Sequence, residues 1–327
     1  MSSFKVLITT VPFADRDAYP LSLMKENNID YTINPLGRKV TEDELAEMVI
    51  DYDALIAGTE IISSKVMDCA SRLKLISRVG IGLDGVDLLA AEQKGIQVSY
   101  TPDAPSPAVA DLTLGLMLSL LRGIHKADAL MHQGQWQRIF GRRLSEVQVG
   151  LIGMGRIGQK VLKQLLALGC NNIMVNDLVT YEEVVDISQV KFVDKETIYQ
   201  QCDVVSLHIP LTSSTQNMIG EKELAMFKPD AVLVNTARGG IVNELALYHA
   251  LNRKQLLAAA MDVFELEPYQ GPLAELDNCL LTSHMGSMSI DCRTKMEIEA
   301  TEEAVRFLLT GEQLSPVPDQ EYQLRRS

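Results

Sequence analysis

The chain has 327 residues, 46% of them hydrophobic and 22% charged, with a formal net charge of −13. That length allows two domains, each with its own core. The acidic balance and the lack of a long basic run argue against a nucleic-acid partner, since phosphate binding draws on clustered Lys and Arg.

The opening "MSSFKVLITT" has no basic region followed by an apolar stretch, so no signal peptide is expected. Short β-branched runs then alternate with helical patterns. "FKVLIT" (4–9), "DALIAG" (53–58), "LKLISRV" (73–79) and "GIQVSY" (95–100) read as strands. Between them, "TEDE" offers a capping box of Thr41 with Glu44. "DGVDLLAAEQKG" reads as a helix closing at Gly95. Alternating strand and helix implies a parallel sheet with helices on both faces.

"YTPDAPSPA" (100–108) places three prolines close together, which suits a crossing between domains. A helical pattern follows to about Arg122. It contains "LTLGLMLSLL" (112–121), which is too short to span a bilayer and reads as a buried helix. A second series of strands follows at "VQVGLIG" (147–153), "IMVND" (173–177), "DVVSLHIP" (203–210), "AVLVNTA" (231–237), "LLAAAMDVF" (256–264) and "CLLTSH" (279–284). Residues 289–309 are helical in pattern, and the polar tail "SPVPDQEYQLRRS" is expected to be loose. The five cysteines (Cys69, Cys170, Cys202, Cys279 and Cys292) form no CxxC pair. They read as free thiols of a reducing compartment, so a cytoplasmic location is expected.

GxGxxG occurs twice, as "GIGLDG" (80–85) and "GMGRIG" (153–158). A dinucleotide pyrophosphate sits at the N-terminus of the following helix, held by backbone N–H groups and the helix dipole. The first copy puts Asp84 in that loop, which would repel it; the second puts Arg156 there. After Gly153, Gly155 and Gly158, the next strand ends in Asp177, 19 residues beyond Gly158. An acid there binds a ribose 2′-hydroxyl and repels a 2′-phosphate, which favours NAD over NADP. The first copy stays open between a structural turn and a ligand loop.

Ligands of open α/β sheets bind outside the C-terminal strand ends. "AVLVNTARGG" delivers Arg238 there, followed by two glycines that would allow another molecule to approach closely. "LLAAAMDVFELEP" delivers Asp262 within its strand and then Glu267, and "CLLTSH" delivers His284. Taken singly, Arg238 reads as a surface ion pair, Glu267 as a solvated loop residue and His284 as a core histidine. Taken together, beside a dinucleotide site, they suit oxidation of a hydroxy acid. Arginine holds the carboxylate, histidine takes the hydroxyl proton, and the carboxylate side chain orients the imidazole. His208 ends a strand and could line the cofactor site. No HExxH, His/Cys cluster, Walker lysine or GxSxG is present, so no metal is expected.

From about Leu73 to about Met296 the chain resembles the D-isomer-specific 2-hydroxyacid dehydrogenase family, most of all its phosphoglycerate dehydrogenase-like branch. The resemblance rests on "RVGIGLDGVDLLAAEQKGI", "AVADLTLGLMLSLLR", "VGLIGMGRIGQ", "HIPLTSSTQNMI", "VNTARGGIVNE", "MDVFELEP" and "SHMGS". It implies two doubly wound α/β domains. One is a flavodoxin-like substrate domain of residues 1–103 and 290–327; the other is an NAD-binding Rossmann domain of residues 104–289, with a crevice between them. It implies Arg238, Glu267 and His284 as the catalytic set. For NAD it implies Gly153, Gly155, Arg156, Ile157, Gly158, Asp177, His208, Pro210, Thr215, Thr236, Ala237, Asp262 and His284. For the substrate it implies Arg78, Ile81 and Gly82 with Arg238.

The activity so implied is interconversion of a D-2-hydroxy acid and its 2-oxo acid, D-3-phosphoglycerate among them, by a homodimer joined through the NAD domain. The alternatives are a glyoxylate or hydroxypyruvate type of reductase and an NAD-sensing corepressor-like binding protein. Four departures stand out. Ser283 replaces the usual proline before the histidine, Asp111 a usual glutamate, Asp84-Gly85 the usual "DN", and Gly58 an arginine common in phosphoglycerate-specific members. No regulatory domain is expected beyond Gly311.

Overall fold

The computed structural model describes residues 3–178 and 190–326. The chain forms two compact units, Met1–Pro105 with Met288–Ser327, and Ser106–Ser287.

The first unit carries five strands: β1 (Lys5–Ile8), β2 (Asp30–Ile33), β3 (Ala54–Ala57), β4 (Leu75–Arg78) and β5 (Gln97–Tyr100). They pair in parallel in the order β2-β1-β3-β4-β5, that of a flavodoxin-like sheet. Helices cover both faces, so the central strands are continuous apolar runs. Val6, Leu7, Ile8, Leu55, Ile56, Leu75 and Ile76 are fully buried. The capping box at Thr41 and Glu44 forms. Gly95, at φ +68°, follows the end of the helix Leu88–Gln93. The helix Ile290–Thr310 starts at the Ser289 N-cap and joins this unit, where its Ala300 carbonyl accepts the Ser77 hydroxyl at 2.8 Å.

Two features differ from the expectations. β2 escapes the strand pattern because it is an edge strand of four residues, "DYTI", exposed to half-buried along its length. The tail is not loose. Val317 is buried, its N–H donates to Val98 at 3.2 Å, and Tyr100 N–H donates to Ser315 at 3.3 Å. Asp319–Arg326 is a helix, with Arg326 paired to Glu92 at 2.5 Å. Its composition is polar because one side faces water. The segment before it covers the open edge of β5, which would otherwise present unpaired backbone groups.

The second unit carries β6 (Val149–Ile152), β7 (Ile173–Asn176), β8 (Val190–Phe192), β9 (Val204–Leu207), β10 (Val232–Asn235), β11 (Ala258–Met261) and β12 (Cys279–Leu281). All pair in parallel, in the order β12-β11-β10-β9-β6-β7-β8. Read from β8, this is the 3-2-1-4-5-6 order of a dinucleotide-binding sheet with one strand added. The order reverses between β6 and β9, so the ends of those strands flank the switch point. The helix Ser106–Arg122 buries Leu116, Met117, Leu120 and Leu121, as its apolar run predicts. At Gly123 (φ +60°) the chain turns by 67° into the helix Ile124–His132. Among the described residues, no single helix is long and apolar enough to cross a membrane.

Candidate active site

The second glycine loop joins β6 to the helix Arg156–Ala167. Each glycine has its own reason. At Gly153 (φ +103°) a Cβ would lie 2.4 Å from the His208 carbonyl oxygen, and at Gly158 it would lie 2.1 Å from that of Gly153. Those two are fixed by the close approach of the chain to itself. At Gly155, a Cβ would meet nothing within 4 Å. Gly155 is the N-cap of the helix and supplies no side-chain cap, and a helix N-terminus of this kind suits an anion. Asp177, just past β7, accepts the Met154 N–H at 2.5 Å, which sets the acid beside the loop. These groups fit a dinucleotide. "GIGLDG" differs physically, because the helix after it begins only at Leu88, capped by the Asp87 side chain.

At the other switch-point strand, His208 follows β9 and its Nε2 lies 3.0 Å from the Ser206 hydroxyl. Burial pushes its imidazole down to about 4, so the ring is neutral at pH 7. The Thr215 hydroxyl donates to the Pro210 carbonyl at 2.7 Å and accepts the Thr212 N–H at 2.7 Å, bracing the loop that holds both. Thr236 and Ala237 are buried after β10. Thr236 meets the Thr113 hydroxyl at 2.7 Å, and Ala237 N–H donates to Asn235 Oδ1 at 3.0 Å.

Arg238 follows, half-buried, its Nη1 donating to the Ala237 carbonyl at 2.6 Å. Of the two glycines after it, Gly239 is fixed by the chain itself, and Gly240 takes a left-handed φ of +80°. At Gly239 a Cβ would lie 2.0 Å from the Phe264 carbonyl oxygen. That contact seats the Arg238 turn on the turn after β11 that carries Glu267. Glu267 accepts the Phe264 N–H at 3.1 Å and reaches His284, with Nδ1 at 2.8 Å from Oε2 and 3.0 Å from Oε1. The His284 side chain is 36% exposed and that of Glu267 24%, so the pair is partly shielded and still reachable. Asp262 is the first residue after β11, not a strand member, and is 1% exposed.

His284 sits at φ +50°, a left-handed conformation that costs a non-glycine residue roughly 1–3 kcal/mol and persists only where the surroundings enforce it. The cysteines offer no competing nucleophile on these strands. Burial pushes the Cys202 and Cys279 thiols up to about 12. Among the described residues, no group of three His, Cys, Asp or Glu could hold a metal ion.

A family model described as "D-isomer specific 2-hydroxyacid dehydrogenase, NAD binding domain" matches residues 114–286, more than half of the chain. The chain belongs to the D-isomer-specific 2-hydroxyacid dehydrogenase family. It is 40% identical over 279 residues to the D-3-phosphoglycerate dehydrogenase of Methanocaldococcus jannaschii, covering 84% of this chain and 53% of that one. The chain thus spans about half the length of that relative. It is 35% identical over 301 residues to the hydroxypyruvate reductase of Thermotoga maritima, covering 90% and 95%. The crystal structure of the TT0316 protein from Thermus thermophilus aligns with a TM-score of 0.87 at 34% identity, covering 96% of this chain and 100% of that one.

The residues expected to bind NAD, from Gly153 to His284, lie in the second unit. Arg78, Ile81 and Gly82 lie in the first. Arg78 is buried at the end of β4, and Nη1 donates to the Val79 carbonyl at 3.2 Å. Gly80 (φ +141°) donates its N–H to the Thr101 hydroxyl at 2.8 Å. Sequence reasoning missed Asn235, which is fully buried. It accepts from Ala237 and donates to the Arg238 carbonyl at 2.9 Å, so it shapes the turn that presents Arg238. An amide side chain ending an apolar strand was the available signal. The missed Thr113 has none: it is a small residue inside an apolar helix.

Proposed function

We propose that the chain interconverts a D-2-hydroxy acid and its 2-oxo acid with NAD, through Arg238, Glu267 and His284. The observation that carries this reading is the 2.8 Å contact between His284 Nδ1 and Glu267, at the end of a sheet whose switch point bears the glycine loop. Glu267 accepts a hydrogen bond from Nδ1–H, which leaves Nε2 bare to face a substrate hydroxyl. His284 takes the hydroxyl proton in oxidation and returns it to the carbonyl oxygen in reduction. Arg238 holds the substrate carboxylate through paired donors, with Arg78 and the Ile81-Gly82 amides proposed as further substrate contacts. When bound, NAD supplies the hydride acceptor, beside Asp262 and the 153–158 loop.

One observation favours an unphosphorylated acid. In the first unit, a Cβ at Gly58 would lie 2.9 Å from Glu60 Oε2, and the buried Glu60 accepts the Gly58 N–H at 3.0 Å. The carboxylate of Glu60 thus lies beside the position where phosphoglycerate-specific members often have an arginine, and it repels phosphate. The test is NADH consumption with hydroxypyruvate, glyoxylate, pyruvate and 3-phosphohydroxypyruvate. The first three are expected to outpace the last; consumption with none would sink the dehydrogenase reading.

A homodimer joined through the second unit is proposed on its exposed apolar side chains. Trp136 is 79% exposed, Phe140 fully, Ile124 54% and Met131 52%. Arg142, paired with Asp203 at 3.1 Å and Asp230 at 3.0 Å, holds the end of that stretch. Such apolar side chains gathered in one surface stretch mark an interaction surface. Replacing both Trp136 and Phe140 with serine is expected to weaken self-association by about 30-fold or more, read by light scattering over a dilution series. A dimer that persists at the same dilution would move the interface elsewhere. A cytoplasmic location is proposed on the five free cysteines.

A further inference from the structure

Four hydrogen bonds run from the segment around His284 to a single residue. Asp262 Oδ1 accepts the Thr282 hydroxyl at 2.6 Å and the Met285 N–H at 2.9 Å. Oδ2 accepts the Gly286 N–H at 2.9 Å, and the Asp262 carbonyl accepts the His284 N–H at 2.7 Å. Three of the four donors are backbone groups. Thr282 alone contributes a side chain.

We propose that Thr282 is a positioning residue for His284. It acts through Asp262, and the proposal rests on the reading of His284 as the acid and base. Asp262 is almost wholly buried, so water cannot replace a lost donor on its carboxylate. Thr282 and Met285 share Oδ1. Without the hydroxyl, Oδ1 keeps only the Met285 N–H, and the carboxylate is held by two backbone donors alone. A shift of that carboxylate then moves the Met285 and Gly286 amides, and with them His284, the left-handed residue just before them. Ser283 does not restrain this, since only a proline ring would fix φ just before the histidine. The hydroxyl of Thr282 therefore does, from one residue further back, what a ring would do by covalent constraint.

The test compares Thr282→Val, which keeps the shape, with Thr282→Ser, which keeps the hydroxyl. In the valine variant kcat is expected to fall about 10- to 100-fold, the size of a small misplacement of a reacting group. KM is expected to stay within about threefold, since the loss falls on the reacting step. The serine variant is expected to retain most of the wild-type kcat. A second readout needs no turnover. In ¹⁵N-histidine-labelled protein without ligand, the His284 ring nitrogens, assigned by their loss in His284→Gln, should shift in the valine variant and not in the serine variant. A valine variant with wild-type kcat and an unmoved ring resonance overturns the proposal, as does a serine variant as impaired as the valine one. If the wild-type protein reduces no 2-oxo acid, the function of the site fails, and the clamp as a catalytic device fails with it. An unmoved ring resonance beside normal wild-type turnover counts against the clamp alone.

Discussion

His284→Gln is expected to lower kcat by about two to four powers of ten, the range of a general acid or base. Glutamine keeps a polar side chain of similar reach, but it cannot take a proton from a substrate hydroxyl and return it. The 2.8 Å contact with Glu267 would be replaced at best by a hydrogen bond from the glutamine amide. NADH affinity, read by fluorescence, should change little, because the glycine loop and Asp177 stand on other strands. Turnover at the wild-type rate would remove His284 from the reaction. Loss of turnover together with loss of NADH binding would instead point to a damaged fold.

The second large effect is expected at a residue that touches no ligand. Gly239→Ala would put a methyl group 2.0 Å from the Phe264 carbonyl oxygen and 2.1 Å from its carbon. Both are backbone atoms, which cannot swing aside as a side-chain tip can. Gly239 has no positive φ, so the collision and not backbone strain decides the outcome. Overpacking against main chain is expected to cost about 2–4 kcal/mol, read as a lower urea midpoint at unchanged slope. The same push separates the Arg238 turn from the Glu267 turn, so kcat should fall as well. An unaltered midpoint would show that the two turns part without cost.

Much of this was legible because each signal had a local cause. The central strands are buried on both faces and therefore read as unbroken β-branched runs. The glycine loop was separable from its double by chemistry, since Arg156 suits an anion and Asp84 does not. Glu267 and His284 were nameable as strand-end groups, because chain order and sheet order agree from β9 to β12. What stayed hidden depends on contacts between distant segments. Nothing in "ARGG" says that Gly239 meets the Phe264 backbone. Nothing in "LLTSH" says that Thr282 reaches Asp262. The helix Asp319–Arg326 was hidden for the same reason, because its order comes from β5 and Glu92 and not from its own composition.

The division of the chain also sets an order of events. The second unit is one continuous segment, whereas the first is made of two pieces with that segment between them. As the ribosome works from the N-terminus, all seven strands of the inserted sheet emerge before the helix Ile290–Thr310 exists. Until then β3 and β4 lack the helix that covers them, and the Ser77 hydroxyl lacks the Ala300 carbonyl that will accept it. The sheet that is synthesised first is therefore the one completed last. During that interval the apolar face of β3 and β4 that the helix will cover stays bare.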